Sequence, residues 1–307
     1  MAEVSYSVKA AAQRTGLSPH VIRMWEKRYA VVQPDRTGTN RRRYSEAEVD
    51  RLALLRAATQ AGHSIGQIAT LDESQLRRLA LEVPSGGTPT EETGIKAEKV
   101  VEEAIEQIRQ LNAAELENNL AEAAGRMGTQ GLLQKVIVPL TYRVGELWQK
   151  GEVTAAEDHF ASSHIRTFLG AMTRPYVLDP GAPLLVTGTP VGQHHELGAI
   201  IVGAAASSLG WRVANLASSL PAAEIASAAT RGSARAVALS LVYPEDDPKL
   251  PDELRMLRRM LPAETEVLIG GRAASAYRSV VDEIGARFCD SCDRFCEQIN
   301  ELRRIEN

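Results

Sequence analysis

The chain has 307 residues, 44% hydrophobic and 24% charged, a composition that can bury a core in two or three domains. Its longest apolar runs, Val136–Leu140 and Ala199–Ala206, fall far short of the roughly 20 residues a membrane span needs. The opening Met-Ala-Glu-Val-Ser has neither the basic flank nor the apolar core of a secretory leader. Three cysteines crowded into Cys289–Cys296 exclude a disulfide framework and suit a reducing cytoplasm. The formal charge is −4, unevenly spread: residues 1–56 hold eleven Lys/Arg against six acids, so the remainder carries about −9. A basic head on an acidic body suits a polyanion-binding unit; the plainer alternative is a solvated basic face.

In chain order, Val8–Thr15 reads as a short helix and Gly16 as a tight turn. Ser18-Pro19 then places an N-cap before a proline at the first helical position. The next helix, Pro19–Tyr29, sets Arg23 and Lys27 four residues apart on one face with His20 a turn earlier, and Trp25 and Tyr29 toward the first helix. Helix, glycine turn and basic second helix make a helix-turn-helix whose second helix suits the major groove. The segment Thr37–Tyr44 is a Gly-tipped hairpin, or wing, whose Arg41, Arg42 and Arg43 could hold phosphates. Ser45 caps a further helix with Glu48 three residues on, as in a capping box.

Residues 81–95 have the Pro/Gly/Ser/Thr content of a connector, and 96–178 show helical periodicity with few strand formers. From 179 to 307, short β-rich runs alternate with helical segments. Strands are predicted at Leu184–Thr187, Arg212–Leu216, Ala236–Leu241, Glu266–Ile269 and Ala286–Cys289. Helices are predicted to begin near His195, Pro221, Asp252, Ala273 and Asp290. The expected architecture is multidomain α and α/β: a winged helix-turn-helix over 1–80, a helical bundle over 96–178, and a doubly wound five-stranded parallel sheet of flavodoxin-like type. A ligand should sit beyond the carboxyl ends of the strands. There, His195 leaves strand one on a loop and could ligate a metal. Ser240 puts a hydroxyl at the end of strand three, and Gly270-Gly271 lack the Cβ atoms that would keep a bulky ligand from the backbone. Taken alone, His195 reads more readily as an incidental loop histidine than as a ligand.

The run Ser18-Pro-His-Val-Ile-Arg-Met-Trp-Glu-Lys-Arg-Tyr, the wing Asn40-Arg-Arg-Arg-Tyr-Ser and the Gly62-His-Ser-Ile-Gly-Gln-Ile turn resemble the MerR-type transcription regulators. The resemblance implies phosphate contacts for Arg23, Arg41, Arg42 and Arg43, base-facing roles for His20 and Lys27, and a place for Tyr44 in the same DNA-binding set. The loop histidine, serine strand and double glycine, in that order, resemble the cobalamin-binding fold. This implies His195 as axial cobalt ligand, with Gln193, Gly198, Ser240, Gly270 and Gly271 around the cofactor and its extended nucleotide tail. The family's acid two residues before the histidine is Gln193 here, which can accept a hydrogen bond but brings no charge to orient an imidazole. Weaker histidine–cobalt ligation, or a different corrinoid form, is the expected consequence.

The pattern Trp148, then Asp158-His159, resembles the four-helix bundle that covers the cofactor's upper face; a core tryptophan and solvated acids are its plainer reading. Gln149 stands where some relatives place an upper-ligand histidine, and His159 or His164 could substitute. Together the three parts resemble light-responsive cobalamin-dependent repressors of the CarH/LitR type. Implied are adenosylcobalamin, a double-stranded DNA operator, self-association as dimer or tetramer, dissociation in light, a cytoplasmic setting and no enzymatic activity, with repression favoured over activation. The alternatives are a MerR-type regulator sensing a bilin, a haem or no cofactor, a corrinoid methyltransferase component, or a thiol or metal sensor built on Cys289, Cys292 and Cys296. Against the last, buried small hydrophobes are the default for free cysteine.

Overall fold

The computed structural model describes residues 5–304 apart from 18, 38–40, 61–62, 64, 82–96 and 173–180. The Ser18 cap, the tip of the wing, most of the Gly62 turn and nearly all of the 81–95 connector thus lie outside the described residues. The chain forms two compact units, residues 1–164 and 165–307. No helix among the described residues is long and apolar enough to cross a membrane.

The first unit opens with β1 (Ser5–Ser7), a strand the sequence reading lacks, and α1 (Val8–Thr15), capped by the Ser7 hydroxyl accepting from Ala10 N at 3.2 Å. Gly16, at φ 67°, closes the helix as expected and turns the chain into α2 (Pro19–Tyr29). The wing pairs β2 (Asp35–Arg36) and β1 on either side of β3 (Arg42–Ser45), all antiparallel. The capping box closes at the start of α3 (Glu46–Gln60), where Ser45 N donates to Glu48 Oε2 at 2.8 Å and Glu48 N to Ser45 Oγ at 3.3 Å. Two short helices follow, α4 (Ile65–Ile68) and α5 (Glu73–Leu81). Arg51 ties the head together by donating to the carbonyls of Val31, Ala69 and Leu71 at 2.8–3.0 Å.

The helical segment runs through α6 (Ala97–Arg109), α7 (Ala113–Leu132), α8 (Val138–Gln149) and α9 (Ala155–Met172), the last crossing into the second unit. Val100, Val101, Ala104, Ile105 and Ile108 repeat at helical spacing and bury one face of α6. The α7 segment breaks at Gly128 (φ 71°, ψ 175°), and a π-helical turn over Leu133–Ile137 joins it to α8. The back of α2 lies on α7. Trp25, fully buried, donates its indole N–H to the Gly125 carbonyl at 3.1 Å. A Cβ at Gly125 would come to 3.0 Å from Met24 Cε and 3.2 Å from Trp25 Nε1, so glycine is what lets the two helices meet.

The second unit is a five-stranded parallel sheet of order β5-β4-β6-β7-β8. Its elements are β4 (Leu184–Gly188), α10 (Leu197–Ser208), β5 (Arg212–Asn215), α11 (Ala222–Arg231), β6 (Ala236–Ser240), α12 (Leu250–Met260), β7 (Glu266–Gly270), α13 (Arg278–Glu283), β8 (Arg287–Cys289) and α14 (Cys292–Arg304). All five strands fall within one residue of their predicted limits. Strands β4, β6 and β7 are nearly continuous buried runs, as a parallel sheet covered on both faces requires. Chain order reverses between β4 and β6, so the topological switch point lies at the carboxyl ends of those two strands.

Candidate functional site

The exposed basic side of the head is α2 and the wing. Arg23, Lys27 and Arg28 on α2 and Arg41 in the wing are exposed; of the His20 side chain, the described residues say nothing. Two wing residues read as DNA contacts turn inward instead. Arg42 Nε donates to both oxygens of Glu26 at 2.9 and 2.7 Å, and the fully buried Tyr44 gives its hydroxyl to Glu26 Oε2 at 3.1 Å. Burial and the neighbouring Glu26 carboxylate raise the Tyr44 pKa, so the phenol stays a donor. Arg43, half-buried, donates to Ser5 Oγ at 3.0 Å. Arg42 and Tyr44 therefore build the wing onto the recognition helix, because Glu26 offers a partly buried acceptor that would otherwise lack partners.

Glu26 is a residue the sequence reading missed, since its partners lie 16 and 18 residues away. Replacing Glu26 by Gln should weaken binding to mixed-sequence duplex DNA by roughly 3- to 10-fold, as the wing loosens. Fluorescence anisotropy over a salt series checks this. Tighter binding with a steeper salt dependence would mean that the released Arg42 is itself a phosphate contact.

At the switch point, α10 comes down onto the sheet end so closely that a Cβ at Gly198 would overlap Ser240 Oγ and approach Ser240 Cβ to 3.2 Å. Ser240 is buried at the end of β6, and Thr187 is fully buried in β4 beneath Gly203 of the same helix. Neither hydroxyl oxygen has a hydrogen-bond partner. Two unpaired buried hydroxyls on adjacent strands, both under α10, are unusual, because each forgoes its hydration.

His194 and His195 are exposed on the loop before α10. The His195 ring stands edge-on to Tyr243, centroids 6.2 Å apart at 86°. Glu196 pairs with Arg166 at 2.6 Å, fastening the start of α10. Gln193, expected to stand in for an acid facing the imidazole, is buried and spends its amide on the segment after β6, accepting from Val242 N and Tyr243 N and donating to Pro244 O. Gly270 and Gly271 lie at the expected sheet edge, and the chain itself fills the places their Cβ atoms would take. A Cβ at Gly270 would meet Cys289 O at 2.7 Å, and one at Gly271 would collide with the Leu241 backbone. Their glycines permit strand packing and a left-handed turn at φ 100°.

On the helical segment Trp148 is half exposed, Asp158 is half-buried and His159 is exposed, whereas His164 packs its ring 4.3 Å from Phe160. Cys289 and Cys296 are poor candidates for a sensor. Burial pushes Cys289 up to about 12, and the contact with Cys292 together with burial raises Cys296 further. A reactive thiol needs the opposite shift. No three His, Cys, Asp or Glu side chains converge as a metal site among the described residues.

Comparison with known proteins places these parts. Residues 6–75 match the MerR HTH family regulatory protein model, and residues 97–172 and 183–289 match two B12 binding domain models. The HTH-type transcriptional repressor CarH of Myxococcus xanthus is 28% identical over 284 residues, covering 92% of this chain and 94% of that protein. The HTH-type transcriptional repressor CarA of the same organism is 26% identical over 305 residues, 98% of each chain. The solved monomethylamine corrinoid protein of Methanosarcina barkeri superposes with a TM-score of 0.52 at 16% identity, covering 67% of this chain and 99% of that one, a likeness of fold. A head matched by the MerR model, followed by a helical segment and a parallel sheet each matched by a B12 binding domain model, with CarH and CarA similar along nearly the whole chain, make this chain a MerR-type DNA-binding regulator with B12-binding domains.

Proposed function

We propose that the chain represses transcription from a duplex operator and that a cobalamin, adenosylcobalamin in the first instance, sets its self-association and thereby its DNA affinity. The observation that carries the cofactor half is the pair of buried, unpartnered hydroxyls of Thr187 and Ser240 under α10. The cofactor's nucleotide tail would offer both hydroxyls a partner once α10, in contact with Ser240 at Gly198, moves off the sheet to admit it. His195, exposed at the loop, would offer its imidazole to the cobalt from below. The B12-binding match of the helical segment supports contacts from Trp148, Asp158 and His159 to the same cofactor. When bound, adenosylcobalamin supplies a cobalt–carbon bond that visible light cleaves.

On the DNA side, Arg23, Arg28 and Arg41 hold phosphates and Lys27 faces the bases, and one head makes too few such contacts for tight binding. Heads joined by self-association bind through effective concentration, so a change of assembly changes affinity by about 10²–10⁴ without any new contact. The repressor names of CarH and CarA, both spanning nearly the whole chain, support repression over activation.

The test adds adenosylcobalamin to the full chain in the dark and records the visible spectrum and elution volume, then repeats both after green illumination. A retained corrinoid spectrum with a large species that shrinks on illumination is the expected result, and His195→Ala should lose most of the retained cofactor. A colourless protein after desalting would leave a DNA-binding regulator whose groove takes another ligand, a bilin or haem among them.

A further inference from the structure

The loop that carries His195 and the segment that follows β6 are locked together. Gln193, 1% exposed, accepts from Val242 N at 2.8 Å and Tyr243 N at 3.0 Å, and donates to Pro244 O at 3.0 Å. The Tyr277 hydroxyl accepts from Asp247 N at 2.7 Å and donates to Pro244 O at 3.4 Å. Within the histidine loop, the Thr189 hydroxyl donates to Gln193 O and accepts from Ser219 N at 2.8 Å. Tyr243 is held at its backbone by this mount, yet its side chain is 62% exposed, the most exposed large hydrophobic among the described residues. Its ring meets the His195 imidazole edge to face.

We propose that Gln193 and Tyr243 are positioning residues for His195. Gln193 fixes the backbone on which Tyr243 stands, and the Tyr243 ring selects the orientation in which the exposed imidazole projects. The purpose of this arrangement rests on the cobalamin reading above; its geometry does not. An exposed histidine that must be immobilised for ligation loses rotamer freedom, and an aromatic pair that fixes it beforehand is worth roughly 2- to 10-fold in affinity. Gln193 thus does a different task from the acid of related sites. By resemblance the acid of related sites orients the imidazole, whereas this amide reaches three backbone groups of another loop, and the amide N–H₂ is the half that a carboxylate cannot replace.

Two arms test the proposal on the full chain. The first needs no cofactor: the ¹H–¹³C spectrum of histidine-labelled protein, with His195→Ala to assign the resonance among six histidines. Tyr243→Ala should displace the His195 ring signals by removing the aromatic ring current, and Tyr243→Phe should leave them in place. The second arm measures adenosylcobalamin affinity in the dark. Tyr243→Phe should match the parent, Tyr243→Ala should bind roughly 2- to 10-fold more weakly, and Gln193→Glu should lose about 10-fold or more, since it sets a carboxylate oxygen against the Pro244 carbonyl. Thermal melts report whether Gln193→Glu stays folded; if it does not, the exposed Tyr243 pair decides. Unmoved His195 signals in Tyr243→Ala would overturn the proposal, as would tighter binding by Gln193→Glu, which would assign position 193 to the imidazole. If the parent itself retains no corrinoid, the cofactor reading fails, while the first arm still decides whether Tyr243 positions His195.

Discussion

Trp25→Ala is expected to destabilise the unit formed by residues 1–164 by about 3–5 kcal/mol, the range for emptying a fully buried tryptophan site. Trp25 is wholly buried on the face of the recognition helix turned toward α7, so its loss opens a cavity at a seam between head and helical segment. Its indole also supplies the Gly125 carbonyl with a donor. Trp25→Phe isolates that second effect: it keeps most of the ring and removes the indole donor to the Gly125 carbonyl, at about 0.5–1.5 kcal/mol. Gly125→Ala approaches the same seam from the other side. Its new methyl would press on the flexible end of Met24 at 3.0 Å and on Trp25 Nε1 at 3.2 Å, an overpacking of about 1–3 kcal/mol. Urea titrations followed by circular dichroism give the three values. A Trp25→Ala midpoint matching the parent would show that the seam contributes nothing to the unit's stability. Because α2 also carries Arg23 and Lys27, the alanine variant should lose DNA binding along with its fold, whereas the phenylalanine variant should keep it.

What was legible in the sequence follows from how local each signal is. The helix limits Val8–Thr15 and Pro19–Tyr29 and the five sheet strands are set by caps, glycines and runs of β-branched and apolar residues within a few positions, and they were read nearly to the residue. The three-residue strand Ser5–Ser7 was not, for it is too short to show alternation and exists only because Tyr6 pairs with Tyr44, 38 positions on. The break at Gly128 and the π turn after it were missed because apolar residues continue at near-helical spacing through both. In the sites, residue type was legible and partner was not. Gln193 was singled out for the right position and given the wrong neighbour, since its hydrogen bonds reach a segment about 50 residues away. Arg42 and Tyr44 were placed on the wing, where they are, and aimed at DNA, although Glu26 draws them inward. Gly270 and Gly271 were read as room for a ligand, and the places their Cβ atoms would take are filled by Cys289 and Leu241.

Ser240→Ala should change sign with the cofactor. Without a ligand, the Ser240 hydroxyl is buried and unpaired, a cost of about 1–3 kcal/mol that alanine removes, so the cofactor-free variant should melt higher than the parent. With adenosylcobalamin in excess, the parent gains stability by mass action in proportion to its affinity, and the variant, missing a tail contact, should gain less. Gly198→Ala is the complementary change. The added Cβ cannot coexist with Ser240 Oγ, so α10 must shift, the cofactor-free fold should weaken by about 1–3 kcal/mol, and corrinoid retention should disappear. In the double variant the oxygen is gone and the two Cβ atoms, 3.2 Å apart on the unshifted backbone, need only a few tenths of an ångström of relief. Stability of the cofactor-free protein should therefore return to near the parent value while corrinoid retention does not. That separation is what distinguishes a hydroxyl kept for a ligand from one that merely packs. If Ser240→Ala binds the cofactor as tightly as the parent, or if the double variant recovers binding together with stability, the groove under α10 is a packing feature and the tail lies elsewhere.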